Sequence, residues 1–181
     1  MIPLCFQLSE IRHSLLLYHQ KGPNTMPLSP VIPTFDFMFR VHASVADPIE
    51  LGRTPRGVRR IINITGGSVE GPVLSGSILP GGADWQVIRE DGTAVLEARY
   101  TIKTRDDALI YVTNFGYRHG PPEVLASIAA GEEVDPALYY FRAAPLFETS
   151  ASQYTWLNSS LAMTSGVREK NNVILDFYAV R

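Results

Sequence analysis

The sequence predicts an all-β protein, an antiparallel β-barrel of about eight to ten strands with one short helix. Three observations point there. Beyond Pro33 the dominant hydrophobic period is two, the signature of strands with one buried face. Glycines interrupt the longest β-branched runs, as sharply curved sheets require. Beyond Pro33, only residues 121–131 show helical spacing. A closed barrel also removes the edges that so many strands would otherwise expose.

Phe35-Asp36-Phe37-Met38-Phe39-Arg40-Val41 alternates as a first strand, with Phe35, Phe37, Phe39 and Val41 on one side. Residues 59–65 are rich in β-branched side chains and end in Gly66-Gly67, a turn signal. Residues 69–79 predict one long strand bent at Gly71 and Gly76, closed by Pro80-Gly81-Gly82. Residues 85–89, the turn Glu90-Asp91-Gly92 and residues 94–103 predict a hairpin. Another strand follows over 108–114. Pro121-Pro122 at a helix start, Val124, Leu125 and Ile128 at helical spacing, and Gly131 as C-cap predict a short lid-like helix. Strands then resume over 138–147, 154–163 and 173–180, the last two joined by a turn around 166–172.

Composition narrows the function. A chain of 181 residues with 45% hydrophobic and 19% charged residues is globular and long enough for one substantial core. A net charge of -2 and a pI near 6.1 argue against a nucleic-acid partner, which needs a basic excess. Arg53, Arg56, Arg59 and Arg60 form the only local basic run and read as a solvated face. The single cysteine, Cys5, permits neither an internal disulfide nor a thiolate zinc site, and suits a cytoplasmic location. The four histidines lack metal-site spacing, so no metal and no cofactor are expected. Residues 1–25 read as an N-terminal extension, helical or disordered, too polar to span a membrane and unlike a signal peptide. Residues 26–181 read as the single barrel domain.

Three constellations are candidates for chemistry. Glu97-x-Arg99 places an acid and a guanidinium on one strand face with Cα atoms ~7 Å apart. Inside a wet barrel they mark a polar cavity; on a dry barrel they lie in water. Tyr140-x-Arg142 repeats the pattern, and Tyr154-x-Trp156-x-Asn158 mixes aromatics with an amide, as ligand cavities do. Asp84-Trp85 adds an acid whose burial would raise its pKa. The paired glycines at 66–67 and 81–82 precede no helix, so they are not phosphate loops. No nucleophile elbow or dinucleotide fingerprint occurs.

Residues 57–92 (GVRRIINITGGSVEGPVLSGSILPGGADWQVIREDG), then LEARYTIKTRDDALIYVTNFGYRHGP and YYFRAAPLFETSASQYTWLN, resemble domain of unknown function family 3237, also called uncharacterised protein family 0311. The likeness runs from about Phe37 to Val180 and implies a β-barrel with no established general activity. It implies recurring polar positions at Glu70, Asp84, Arg99, Arg142, Tyr154 and Asn158, and matches the family's tryptophans to Trp85 and Trp156. Glu97 stands where an acid, often Asp, is expected. Asp106-Asp107-Ala108 replaces the family's Asp-Asp-Gly and puts that turn in question.

Together these readings give a small-molecule-binding barrel, a cofactor-independent isomerase, cyclase, dehydratase or hydrolase acting on a small aromatic or polyketide-like metabolite. Asp84, Glu97, Arg99 and Arg142 are the expected catalytic residues. Glu70, Trp85, Tyr140, Tyr154, Trp156 and Asn158 are the expected ligand contacts. The alternatives are a calycin-like carrier that only binds, and a structural protein whose polar pairs are solvated. A homodimer is expected if the apolar face of residues 94–103 packs outward.

Overall fold

The computed structural model describes residues 28–181; the extension read over 1–25 falls outside them, and the barrel is the unit Pro33–Arg181. It has ten strands: β1 Phe35–Val45, β2 Ile49–Thr54, β3 Gly57–Glu70, β4 Gly76–Ile78, β5 Gly82–Ile88, β6 Ala94–Thr104, β7 Leu109–His119, β8 Tyr140–Glu148, β9 Ala162–Arg168 and β10 Asn172–Val180. All pairings are antiparallel. Two pairs of strands are the halves of broken ones. β1 and β2 run successively along β3, and β4 and β5 run successively between β3 and β6. The result is an eight-stave, up-and-down barrel that closes where β1 meets both β10 and β3.

Several expectations are corrected. The first strand does not keep one face: a bulge between Phe37 and Phe39 resets the alternation. Met38 and Phe39 are both buried while Phe35 and Phe37 stay exposed. The long strand read over 69–79 is a corner, with β3 ending at Glu70 and β4 starting at Gly76. Residues 154–159 are not strand; they belong to a 3-10 helix, Ser152–Ser159, and β9 begins only at Ala162. The predicted helix is present as α1, Pro122–Ala130, ending at Gly131 in the left-handed conformation with φ 80°. The Asp106-Asp107-Ala108 turn puts its positive φ (63°) on Asp107, a residue type that tolerates it, so Ala108 is unstrained.

The barrel interior divides along its axis. At the end where β1 starts, Phe39 stacks on Phe177 at 4.6 Å between ring centroids, and Phe147 lies 6.2 Å from Phe39. The 3-10 helix Ser152–Ser159 contributes Leu157, 1% exposed, to the same core cluster. Asn158 fixes that helix to the end of β8 by accepting from Thr149 N and donating to Thr149 O, each at 2.9 Å. The opposite end lies beneath α1 and is polar inside. Leu96, Tyr100 and Ile102 of β6 are buried in the core, so the apolar face of that strand points inward and gives no ground for a partner. No described helix is long and apolar enough to cross a membrane.

Candidate functional site

Strand parity builds the site. On β7 the inward row runs Ile110, Val112, Asn114, Gly116, Arg118, turning from apolar to polar toward the α1 end. On β3, Arg60 shares a parity with Ile62 and Ile64; on β9, Arg168 shares one with Thr164 and Gly166. On β5, Asp84 and Gln86 point to one face. These residues converge on an inner chamber of about 60 Å³, lined by Asp84, Gln86, Tyr100, Asn114, Arg118 and Phe141. An outer chamber of about 330 Å³ shares Arg118 and Arg168 with it and adds Arg60, with Leu125 and Ile128 of α1.

Asp84 is built into the wall. The β5–β6 ladder pairs Asp84 with Ala98 and Val87 with Val95 but lapses at Trp85 and Gln86. There the Glu97 backbone N–H donates to Asp84 Oδ1 at 2.9 Å, and Trp85 O accepts from Arg59 at 2.8 Å. Asp84 Oδ2 accepts from Gln86 Nε2 at 2.6 Å, while Gln86 Oε1 accepts from Arg60 Nε at 2.9 Å. The amide is therefore oriented by the arginine and can only donate to the acid. Asp84 keeps some accessible surface because it lines the chamber, yet protein crowds its carboxyl. Burial raises its pKa above the ordinary carboxylate value, against the opposing pull of Gln86, the Glu97 amide, Arg118 and Arg60.

Among the described residues, three buried polar atoms in this chamber have no hydrogen-bond partner: Tyr100 Oη, Asn114 Oδ1 and Arg118 Nε. Their residues are 4%, 5% and 7% exposed. Each such group costs about 1–3 kcal/mol when left unpaired, a cost that a bound partner recovers. Burial pushes the Tyr100 phenol up, so it stays a neutral donor. Burial, then the charges of Arg60 and Arg168, lower the Arg118 pKa to about 10, with Asp84 opposing. The Arg118 guanidinium lies 5.9 Å over the Phe141 ring. That ring is packed on Gly166, where an added Cβ would meet it at 2.7 Å.

Of the residues expected from sequence, only Asp84 lines this chamber. Glu97 and Arg99 form a 2.5 Å ion pair on the outer wall, about half exposed, and Arg99 lies 5.7 Å over Trp85. They face outward because Leu96 and Tyr100, at the other parity, fill the interior. Arg142 is also outside, 5.6 Å over Tyr140 and bonded to Phe141 O at 2.8 Å. Glu70 is exposed at the end of β3. Tyr154, Trp156 and Asn158 sit in the 3-10 helix that plugs the other end; Tyr154 donates to Asp106 at 3.2 Å, and Arg181 lies 5.6 Å over Trp156. Sequence reasoning missed Arg60, Gln86, Tyr100, Asn114, Arg118 and Arg168. The signal that finds Arg60, Asn114 and Arg118 is a polar residue at the parity of an apolar row; Gln86 and Arg168 lie in mixed rows that carry no such signal. No three His, Cys, Asp or Glu side chains among the described residues cluster as metal ligands.

The sequence from residue 33 to 180 matches the model of a family described as protein of unknown function (DUF3237). The chain belongs to this family. A conserved protein of unknown function from Rhodopseudomonas palustris has a solved structure similar to it, with a TM-score of 0.79 and 41% identity, covering 85% of this chain and 100% of that one. A β-barrel-like protein from Acinetobacter baumannii gives a TM-score of 0.75 at 42% identity, covering 84% of this chain and 99% of that one. A more distant relative is the hydroalkoxylation enzyme phnH of Penicillium herquei, 27% identical over 133 residues, 74% of each chain. The two solved relatives share the barrel fold with this chain.

Proposed function

We propose that the chamber beneath α1 is the active site of a cofactor-independent enzyme that moves a proton on a small, largely apolar metabolite. The observation that supports this most is Asp84: a desolvated carboxyl with raised pKa, lining a chamber that also holds three unpartnered polar atoms. Each Asp84 oxygen accepts one bond from a group that can only donate. A proton on Asp84 therefore occupies a lone pair the protein leaves free, where a ligand in the chamber can receive it.

The distant hydroalkoxylation enzyme suggests one reaction within this class: addition of an O–H group across a carbon–carbon double bond. Asp84 would give its proton to one alkene carbon, the hydroxyl oxygen would bond to the other, and the hydroxyl proton would return to the carboxylate. Atoms and charge balance with no oxidant or cofactor. Tyr100 and Asn114 would orient the reacting oxygen, and α1 would exclude water.

The test is turnover of a panel of unsaturated phenols and alcohols in D2O, read as deuterium on carbon in the cyclised product. Asp84→Asn should lower the rate by roughly 10²-fold or more. Unchanged labelling by a folded Asp84→Asn protein would refute the role. A carrier is the second reading, favoured by the same unpartnered atoms, which orient a ligand whether or not it reacts. Native mass spectrometry separates the two, since a carrier retains its ligand unaltered. The same proposal includes a cytoplasmic location, suggested by the lone Cys5, and a homodimer, suggested by exposed Tyr111, Phe115 and Leu146. Cell fractionation and sedimentation test these.

A further inference from the structure

Resting on the chamber as the binding site, we infer that its ligand is a small organic anion, whose charged oxygen binds Arg118 between Arg60 and Arg168. Three guanidinium groups and the exposed Lys170 line these joined chambers, against two carboxyls, Asp84 inside and the exposed Asp47 at the outer rim. Among the described residues, none of the three has a carboxylate within ion-pairing distance. Every such pair formed by the described arginines lies elsewhere, at Arg40, Arg53, Arg89, Arg99 and Arg181.

Arg60 and Arg168 each have one neutral acceptor, Gln86 Oε1 and Asn172 O, both at 2.9 Å. Arg118 is the most buried of the three, and its Nε has no hydrogen-bond partner. A charge taken from water without a counter-ion costs several kcal/mol. Stability alone would favour an apolar residue there. The arrangement is instead that of a cationic socket awaiting an anionic oxygen, with fork geometry suited to two parallel bonds.

The rest of the lining describes the remainder of the ligand. Ile62 borders both chambers, Leu96 and Phe141 wall the inner one, and Leu125 and Ile128 cover the outer one. The inner chamber has room for only a few non-hydrogen atoms, whereas the outer one accepts a ring. The ligand is therefore an apolar body with one anionic oxygen group, a carboxylate or a phenolate. Burial shifts the Asp84 carboxyl in the direction of its neutral form, which lessens its repulsion of an anion.

Calorimetry on the full chain tests this with matched pairs: benzoate against benzamide, 1-naphthoate against 1-naphthamide, and 4-nitrophenol against 4-nitroanisole. We expect at least one anion to bind roughly tenfold more tightly than its neutral partner. A carboxylate preference and a phenolate preference identify which oxygen is read. In Arg118→Met that preference should collapse, and the ligand-free variant should melt no lower than the wild type, because an unpaired buried charge is gone. If that variant does not fold, Arg168→Gln and the wild-type pairs provide the same comparison. Neutral partners binding as well as every anion, or Arg118→Met keeping the preference, would overturn the inference. Asp84→Asn should retain the anion preference. An anion-selective protein that transfers no proton would therefore sink the enzyme reading alone.

Discussion

Asp84 joins chemistry to architecture because one carboxylate oxygen takes a backbone donor from the neighbouring strand. Its pKa is raised, so the folded protein binds this proton more tightly than the unfolded chain does. The sign follows: the stability this group contributes is fully present below the ordinary aspartate value and is lost as pH rises through the raised one. Subtracting Asp84→Asn from wild type cancels every other carboxyl. We expect the melting temperature of the variant, relative to wild type, to rise with pH across that window. A difference that is flat with pH would show that burial does not perturb the carboxyl. Arg118 belongs at the same scale, as a buried charge with no carboxylate within ion-pairing distance among the described residues.

The 3-10 helix Ser152–Ser159 shows how an element can hold residues that look like a binding motif and serve as a plug. Tyr154, Trp156 and Asn158 read as one face of a strand, but Leu157 needed the core and the chain coiled to supply it. Asn158→Ala removes two hydrogen bonds to the Thr149 backbone. It should destabilise the protein by about 1–3 kcal/mol in denaturant titration while leaving ligand affinity unchanged. A loss of affinity with stability intact would restore Asn158 as a ligand contact. The alternation of β6, and α1 with its Gly131 cap, were more legible than this helix and follow from spacing alone, whereas β7 runs on to His119, past the Asn114 where the sequence reading ends it. The bulge in β1 and the break between β3 and β4 were not legible, since both depend on which residues the closed barrel must bury. The site was half hidden for a related reason. Glu97 and Arg99 are conspicuous as charges, yet they sit at the polar parity, where charge is ordinary. Arg60, Asn114 and Arg118 are less conspicuous and occupy the inward parity, where each one is an anomaly.

In the whole molecule, the first and last staves meet. Thr34 and Arg181 exchange two backbone hydrogen bonds of 2.9 Å, and Arg40 grips Asp176 across the seam at 2.6 and 2.8 Å. The ends of the barrel unit are thus neighbours, a geometry that tolerates rejoining. A circular permutant of residues 33–181, with 181 linked to 33 and the chain opened at the exposed Pro55–Arg56 turn, should fold to the same far-ultraviolet circular dichroism spectrum. Failure to fold would show that closing β1 onto β10 requires chain order as well as proximity. The axial division of the interior has a historical consequence. The stacked phenylalanines keep the staves in register from one end, so substitutions among the inward residues beneath α1 can accumulate without unseating the tube. If the lidded end holds the ligand site proposed above, a lineage built on this barrel is free to exchange one ligand for another by drift there. Its divergence should form a gradient along the axis, steep under α1 and shallow at the plug.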